Sequence, residues 1–224
     1  MKKPSSRLNI YSNINNRNNP KPKQLYQLKI TLRDIRPPIW RRILVSNQLY
    51  FADLHHIIQI YFSWGGYHLY EFYYTDPFDP SIRYYIAGKR EWAESSEIED
   101  YYHFMADEIQ LCDVFSEGQK IVYYLYDFGD NWLHKIALEK KFPHKDGFDE
   151  PLCVGGKRAA PPEDSGGAGG YQEILEIKED PSHPEYEEIK EWIGDEFDPQ
   201  EITEIDVKMS PKTIENKFGP RLED

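Results

Sequence analysis

At 224 residues, 39% of them hydrophobic, the chain can bury one substantial core or at most two small ones. Aromatic residues make up 15%, including 17 Tyr and 5 Trp, which excludes a disordered chain despite a mean hydropathy of −0.75. No apolar run reaches the roughly 18 residues that a membrane-spanning helix needs.

The net charge of −12 is unevenly spread. Residues 1–45 carry eleven Lys or Arg against one acid, Asp34, leaving +10 here and −22 on the remainder. An acidic body repels phosphate backbones, which argues against non-specific duplex binding by the whole protein. The basic arm is left as the segment that engages a protein partner or nucleic acid, or else it is a solubilising tail plus the outer face of one strand. Residues 1–23 are rich in Asn, Lys and Pro and read as disordered. They lack an apolar core that would make them a secretory signal. Two cysteines, Cys112 and Cys153, are too few for a disulfide scaffold and read as buried small hydrophobes in a reducing, cytoplasmic setting.

Order begins at QLYQLKITLRD, where Tyr26, Leu28, Ile30 and Leu32 alternate with polar residues as in a half-buried strand. Pro37 and Pro38 interrupt the pattern, and a second strand follows over 39–45. Over 52–62 the period becomes helical, with Leu54, Ile57, Ile58 and Tyr61 on one stripe and His55, His56 and Gln59 off it; Gly65-Gly66 stops the helix. Strands are expected at 68–74 and 82–88, and the acidic stretch 91–108 reads as a solvated loop or exposed helix. Segments 119–128 and 132–139 form a hairpin across a short turn. Beyond Phe142 the chain is Pro- and Gly-rich. Two helices close it, one from near Tyr171 and one over PEYEEIKEWIG with Tyr186, Ile189, Trp192 and Ile193 on one face.

The hairpin turn, YDFGDNWLH, contains the Asp-Phe-Gly of protein kinases, yet no glycine-rich loop, strand lysine or catalytic-loop aspartate precedes it. Gly129 suits a tight turn, and Asp127 and Asp130 suit bonds to neighbouring amides. His134 shares strand parity with Trp132 and Ile136 and so belongs on a buried side, where Asp127 or Asp130 is its expected partner. The same three residues are also candidates for catalysis or for holding a metal. A second candidate is Pro161-Pro162-Glu163-Asp164-Ser165 before a glycine run that opens onto a helix. It lacks the GK[ST] ending of a phosphate-binding loop, so it is either a capped loop or a source of carboxylates, Glu163 and Asp164, for a hard metal. Cys153, His134, His144 and His183 are too scattered for a zinc knuckle, and no Gly-x-Ser-x-Gly elbow occurs.

The segments RPPIWRRILV, LHHIIQIYFSWGGYHLYEF, YLYDFGDNWLHKIALE, CVGGKRAAPPEDSGGAGGY and HPEYEEIKEWIGDEFDP, in that order over 24–206, resemble the plasmid pRiA4b ORF-3-like family. Some members of that family are labelled resolvases carried by insertion elements. The resemblance implies a compact α+β domain associated with plasmids and mobile elements. It carries family motif positions onto Arg36, Pro37, Trp40, Arg41, His55, Trp64, His68, Asp127, Gly129, Asp130, Trp132, His134, Glu139, Cys153, Gly156, Pro162, Glu163, Asp164, Gly166, Gly167 and Tyr171. The resolvase label fits poorly, because no serine lies among arginines and the chain is acidic. Relatives with cysteines around the PPED segment differ from this chain, which has Ala160 and Ser165.

The expected fold is α+β, a mixed and mainly antiparallel sheet, open or barrel-like, with helices on one face or end. A single domain should span 24–210, between the arm at 1–23 and a tail at 211–224. Function is read as a non-enzymatic binding or adaptor domain, with a metal-assisted hydrolase or phosphate-handling enzyme as the alternative. The binding candidates are Arg36, Arg41, Trp64, His68, Trp132, Glu163 and Asp164. A divalent metal would fall to Asp127, Asp130, His134, Glu163 and Asp164, with His134 as ligand or general base.

Overall fold

The computed structural model describes residues 21–75, 81–88, 104–115, 119–144, 148 and 150–202. The expectations for residues 1–20 of the arm, for 203–224 and for acidic residues 91–103 lie outside these. The described elements are β1 (Gln24–Leu32), β2 (Trp40–Ser46), α1 (Phe51–Phe62), β3 (Tyr70–Thr75), β4 (Arg83–Ala87), β5 (Phe104–Met105), α2 (Leu111–Val114), β6 (Ile121–Tyr126), β7 (Trp132–Pro143), β8 (Leu152–Lys157), α3 (Gly167–Glu179) and α4 (Tyr186–Ile193).

The strands form one sheet in the order β5-β4-β3-β6-β7-β1-β2-β8. Every neighbouring pair is antiparallel except β4 with β5. β5 and β8 are the two ends and do not pair with each other, so the sheet is open and the barrel-like alternative is not met. Strands dominate an α+β arrangement. No helix among the described residues is long and apolar enough to cross a membrane.

Alternation along β1 sends Tyr26, Leu28, Ile30 and Leu32 to one face, where they join Phe51, Leu54, Ile58 and Phe62 of α1 and Tyr171 of α3 in the main core. Among the described residues, the opposite face carries a smaller cluster of Leu25, Leu44, Phe142, Phe148 and Val154. α1 is capped by the Asp53 carboxylate, which accepts the Tyr50 N–H at 2.9 Å. It ends at Ser63, whose φ of 56° turns the chain sharply. The Trp64 N–H closes back on the Gln59 carbonyl at 2.9 Å. That turn leads into residues 64–69, whose Trp64 and His68 lie against Tyr126 and Trp132 of the β6–β7 hairpin.

Strand and helix expectations agree with these bounds to within a few residues, with four differences. β8 was hidden because Cys153 and Val154 are buried on opposite faces, one in each apolar cluster, and neighbouring glycines erase any polar alternation. Phe104 and Met105, inside the acidic stretch, are buried in a short strand on the parallel edge of β4. His55 and Gln59, although off the apolar stripe, are buried: both contact the Tyr124 hydroxyl, at 2.7 and 2.9 Å, and His55 stacks on Tyr70 at 3.6 Å. Finally, α4 buries none of its residues, and Trp192 on its apolar stripe stays 47% exposed.

Candidate functional site

Three loops meet at one end of the sheet: 63–69 after α1, the hairpin turn 127–131, and 161–166 before α3. Each is held by backbone geometry that side chains enforce. Asp127 (φ 55°), Asn131 (φ 59°) and Asp164 (φ 60°) are all left-handed, which Asp and Asn tolerate better than other residues with side chains. Asp127 Oδ1 accepts the Gly129 N–H at 2.9 Å, and the Asn131 N–H closes on the Asp127 carbonyl at 2.6 Å. Asp130 reaches across to accept the Gly166 N–H at 3.0 Å, tying the turn to the start of α3. Gly167 is required there: a Cβ would lie 2.3 Å from the Asp130 carbonyl oxygen, and its φ is +70°.

Glu163 is the clamp between the outer two loops. One carboxylate oxygen accepts the Gly65 N–H at 2.6 Å, and the other accepts the Tyr126 hydroxyl. Burial, reinforced by that bond, holds the Tyr126 phenol far above its ordinary pKa. Trp64 lies beneath the junction. Its ring stacks on Tyr126 at 5.2 Å, and its indole N–H donates to the Pro161 carbonyl at 2.8 Å. Trp132 packs 5.9 Å from Trp64.

The side chain these loops gather is His68. Its Nε2 lies 3.2 Å from Asp164 Oδ1 and 3.7 Å from Asp127 Oδ2. Its ring edge rests against Tyr126 at 5.7 Å. One donor atom from each of His68, Asp127 and Asp164 falls within 4.8 Å of the others. Asp127 is largely enclosed, His68 is one-third exposed and Asp164 is 74% exposed, so the cluster opens to solvent on one side.

The structure thus brings Asp127 and Asp164 together with His68, while Asp130 and Glu163 are committed to backbone amides and a tyrosine. The turn and the PPED loop are adjacent, as a metal-holding pair requires. His134 is a correction. It is fully buried, donates from Nδ1 to the Trp132 carbonyl at 3.0 Å, and has Nε2 without a hydrogen-bond partner among the described residues. Its neighbours are Phe62, Trp64 and Tyr124, not Asp127 or Asp130. Burial drives its pKa down to about 3, so the ring is neutral. The parity that assigned it to a buried side was right; its partner is a carbonyl.

Arg41 is also interior. Its guanidinium donates to the carbonyls of Tyr61, Trp40 and Arg158 at 2.8–3.0 Å and faces the Phe62 ring, and burial lowers its pKa to about 10. Arg158 likewise donates to the carbonyls of Pro37 and Pro199. Arg36 is exposed and lines a cleft of about 790 Å³ with Pro37, Tyr171 and Gln172. Part of the basic excess of 1–45 is spent internally: Lys21 pairs with Asp113, Arg42 pairs with Glu139, and Arg41 serves backbone carbonyls.

A family model described as plasmid pRiA4b ORF-3-like protein matches residues 24–206. The chain belongs to the plasmid pRiA4b ORF-3-like family. The chain is similar to the Sinorhizobium fredii (strain NBRC 101917 / NGR234) "Uncharacterized protein y4hQ", 34% identical over 169 residues, covering 75% of this chain and 80% of the relative. A crystal structure of a protein of unknown function, MM3350 from Methanosarcina mazei Go1, superposes with a TM-score of 0.70 at 39% identity, covering 86% of this chain and 98% of that one. His68, Asp127 and Asp164 all lie within the family-matched span.

His68 was among the binding candidates but outside the metal set. The sequence placed it at the head of a strand expected over 68–74; β3 begins only at Tyr70, which leaves His68 on the preceding loop.

Proposed function

We propose that this pRiA4b ORF-3-like chain is a binding domain whose ligand site is the three-loop junction, where His68, Asp127 and Asp164 take a divalent cation. The observation that carries this reading is the mutual approach of three donor atoms within 4.8 Å, drawn from three separate loops. One imidazole and two carboxylates suit Mn²⁺, Fe²⁺ or Zn²⁺ better than a purely oxygen-seeking ion. Three protein ligands leave coordination positions for an external carboxylate or phosphate on the side where Asp164 is exposed.

A binding role is favoured over hydrolysis because the groups that would complete a catalytic set are occupied. Glu163 holds Gly65 and Tyr126, and His134, the base of the hydrolytic alternative, is enclosed among aromatic rings. Calorimetric titration of metal-free protein with Mn²⁺ and Zn²⁺ tests the reading. One equivalent should bind, and binding should fall at least about ten-fold in Asp127→Asn, Asp164→Asn and His68→Ala, as expected when a ligand is lost. Asp130→Asn should retain it. The absence of stoichiometric binding, or equal binding by a triple variant, would overturn the site.

A further inference from the structure

The connection between β1 and β2 borders a space that neither the core nor the cation site uses. Residues 33–38 and the first turns of α3 leave a cleft of about 790 Å³ between them. Both of these walls are described throughout. The connection is anchored to its surroundings. The Leu32 N–H donates to the Ile39 carbonyl at 3.0 Å, the Arg33 N–H to the Leu133 carbonyl at 2.8 Å, and the Arg158 guanidinium to the Pro37 carbonyl at 3.1 Å. Ile35, Pro37, Pro38 and Ala168 make the walls largely apolar. Arg33 and Arg36 also line the cleft and are exposed, and neither guanidinium has a hydrogen-bond or ion-pair partner among the described residues. Asp34 is the one acid among the lining residues.

Tyr171 lines the cleft from α3. It is 1% exposed, and its enclosed hydroxyl has no hydrogen-bond partner among the described residues. Burial pushes the phenol pKa up, and the Arg158 guanidinium offsets part of that rise, which places a buried cation within electrostatic reach of the hydroxyl. A buried hydroxyl left unbonded is a cost to the fold, and a ligand oxygen that accepts from it removes that cost.

We infer that this cleft binds a small organic anion, a carboxylate or phosphate carried on an apolar body, with Arg33 and Arg36 on the oxyanion and the Tyr171 hydroxyl as the buried donor. The volume lies within the roughly 300–1,000 Å³ of small-molecule sites, which likewise combine apolar walls with a few polar groups. Two cations against one acid select an anion, and the planar guanidinium fork matches the paired oxygens of a carboxylate or phosphate. This local excess of positive charge stands out against the −22 carried beyond residue 45. The anchored connection holds the arginine-bearing segment in place before a ligand arrives. The cleft shares no lining residue with His68, Asp127 and Asp164, so it acts without the cation.

The test is an NMR titration of the isotope-labelled, metal-free full chain, following the Arg33 and Arg36 Nε–H signals and the backbone amides of Ala168 and Gln172. The probes are phenyl phosphate, phenylacetate, inorganic phosphate and the neutral phenylacetamide, at low salt. Phenyl phosphate or phenylacetate should bind saturably, about ten-fold or more tighter than phenylacetamide. The tighter of the two names the anion as phosphate ester or carboxylate. Inorganic phosphate should bind more weakly than phenyl phosphate, because it leaves the apolar walls unused. Arg33→Gln and Arg36→Gln should each weaken binding about five-fold. Asp34→Asn suits the left-handed backbone at φ 63° and should tighten binding about two-fold. Tyr171→Phe should weaken it about three-fold or more without lowering the melting temperature, since the hydroxyl it removes has no partner to lose. The inference is overturned by the absence of saturable shifts at the reporter groups, by equal binding of phenylacetamide, or by inorganic phosphate matching phenyl phosphate. A folded Arg33→Gln/Arg36→Gln protein, or a folded Tyr171→Phe protein, that binds as the parent does overturns it as well.

Discussion

The hairpin turn at 127–131 and the strand that leaves it at 132–136 are contiguous in sequence and governed by opposite physics. In the turn, acids occupy left-handed backbone positions, bond amides, and keep a solvent-facing side beside His68 and Asp164. In the strand, Trp132, His134 and Ile136 are sealed into an aromatic core, and His134 is held neutral. The turn keeps a solvent-facing side, whereas burial a few residues along the strand holds the His134 ring neutral. The difference shows why a histidine close to two aspartates in sequence is not their partner, while a histidine from a distant loop is.

The comparison is sharpened most by titrating the sealed side. With a folded pKa near 3 and an ordinary value of 6.5, His134 binds a proton in the unfolded chain before it does so in the native one. Its contribution is complete above about pH 6.5 and is lost progressively as pH falls towards 3, costing about 3 kcal/mol by pH 4. Urea unfolding of His134→Leu and the parent at pH 7 and pH 4 should differ by that much in pH response, the variant being flatter. Equal pH slopes would mean that His134 charges in the native state.

On the open side, Gly167→Ala should destabilise by about 3 kcal/mol, because a Cβ meets the Asp130 carbonyl at 2.3 Å at a positive φ. A variant melting with the parent would show that the turn and α3 are not locked together. The smallest effect is expected from Asp130→Ala, about 1 kcal/mol, for loss of one helix-end acceptor. Its cation binding should persist. Loss of both stability and metal would mean that the tie to Gly166 positions the ligand loops, joining two functions that the geometry keeps apart.

Much of the fold was legible because β1, β6 and β7 are half-buried strands, whose polar-apolar alternation is written directly in the residues. β8 was not, since both its faces are covered and its glycines carry no pattern. The helix stripe of α1 was read correctly for its apolar members. His55 and Gln59, off that stripe, are buried as well, because a polar residue is buried wherever a partner waits, and the Tyr124 hydroxyl comes from a distant strand. At the site, the two acidic loops were the candidates, and Asp127 and Asp164, which the structure brings together, were among them. The choice of His68 over His134 was not legible, because strand parity determines which side a residue faces and not what stands there.

By itself, the sequence determined the family, the alternating strands of an α+β sheet and the turn at Gly129, since local propensity and periodicity act over a few residues. Only the tertiary structure decided which acids are spent on backbone amides, which histidine is sealed, and that His68, Asp127 and Asp164 share one small volume. Those outcomes depend on solvent exclusion and on loops that meet only when the sheet and α3 pack, and neither is carried by any single stretch of residues.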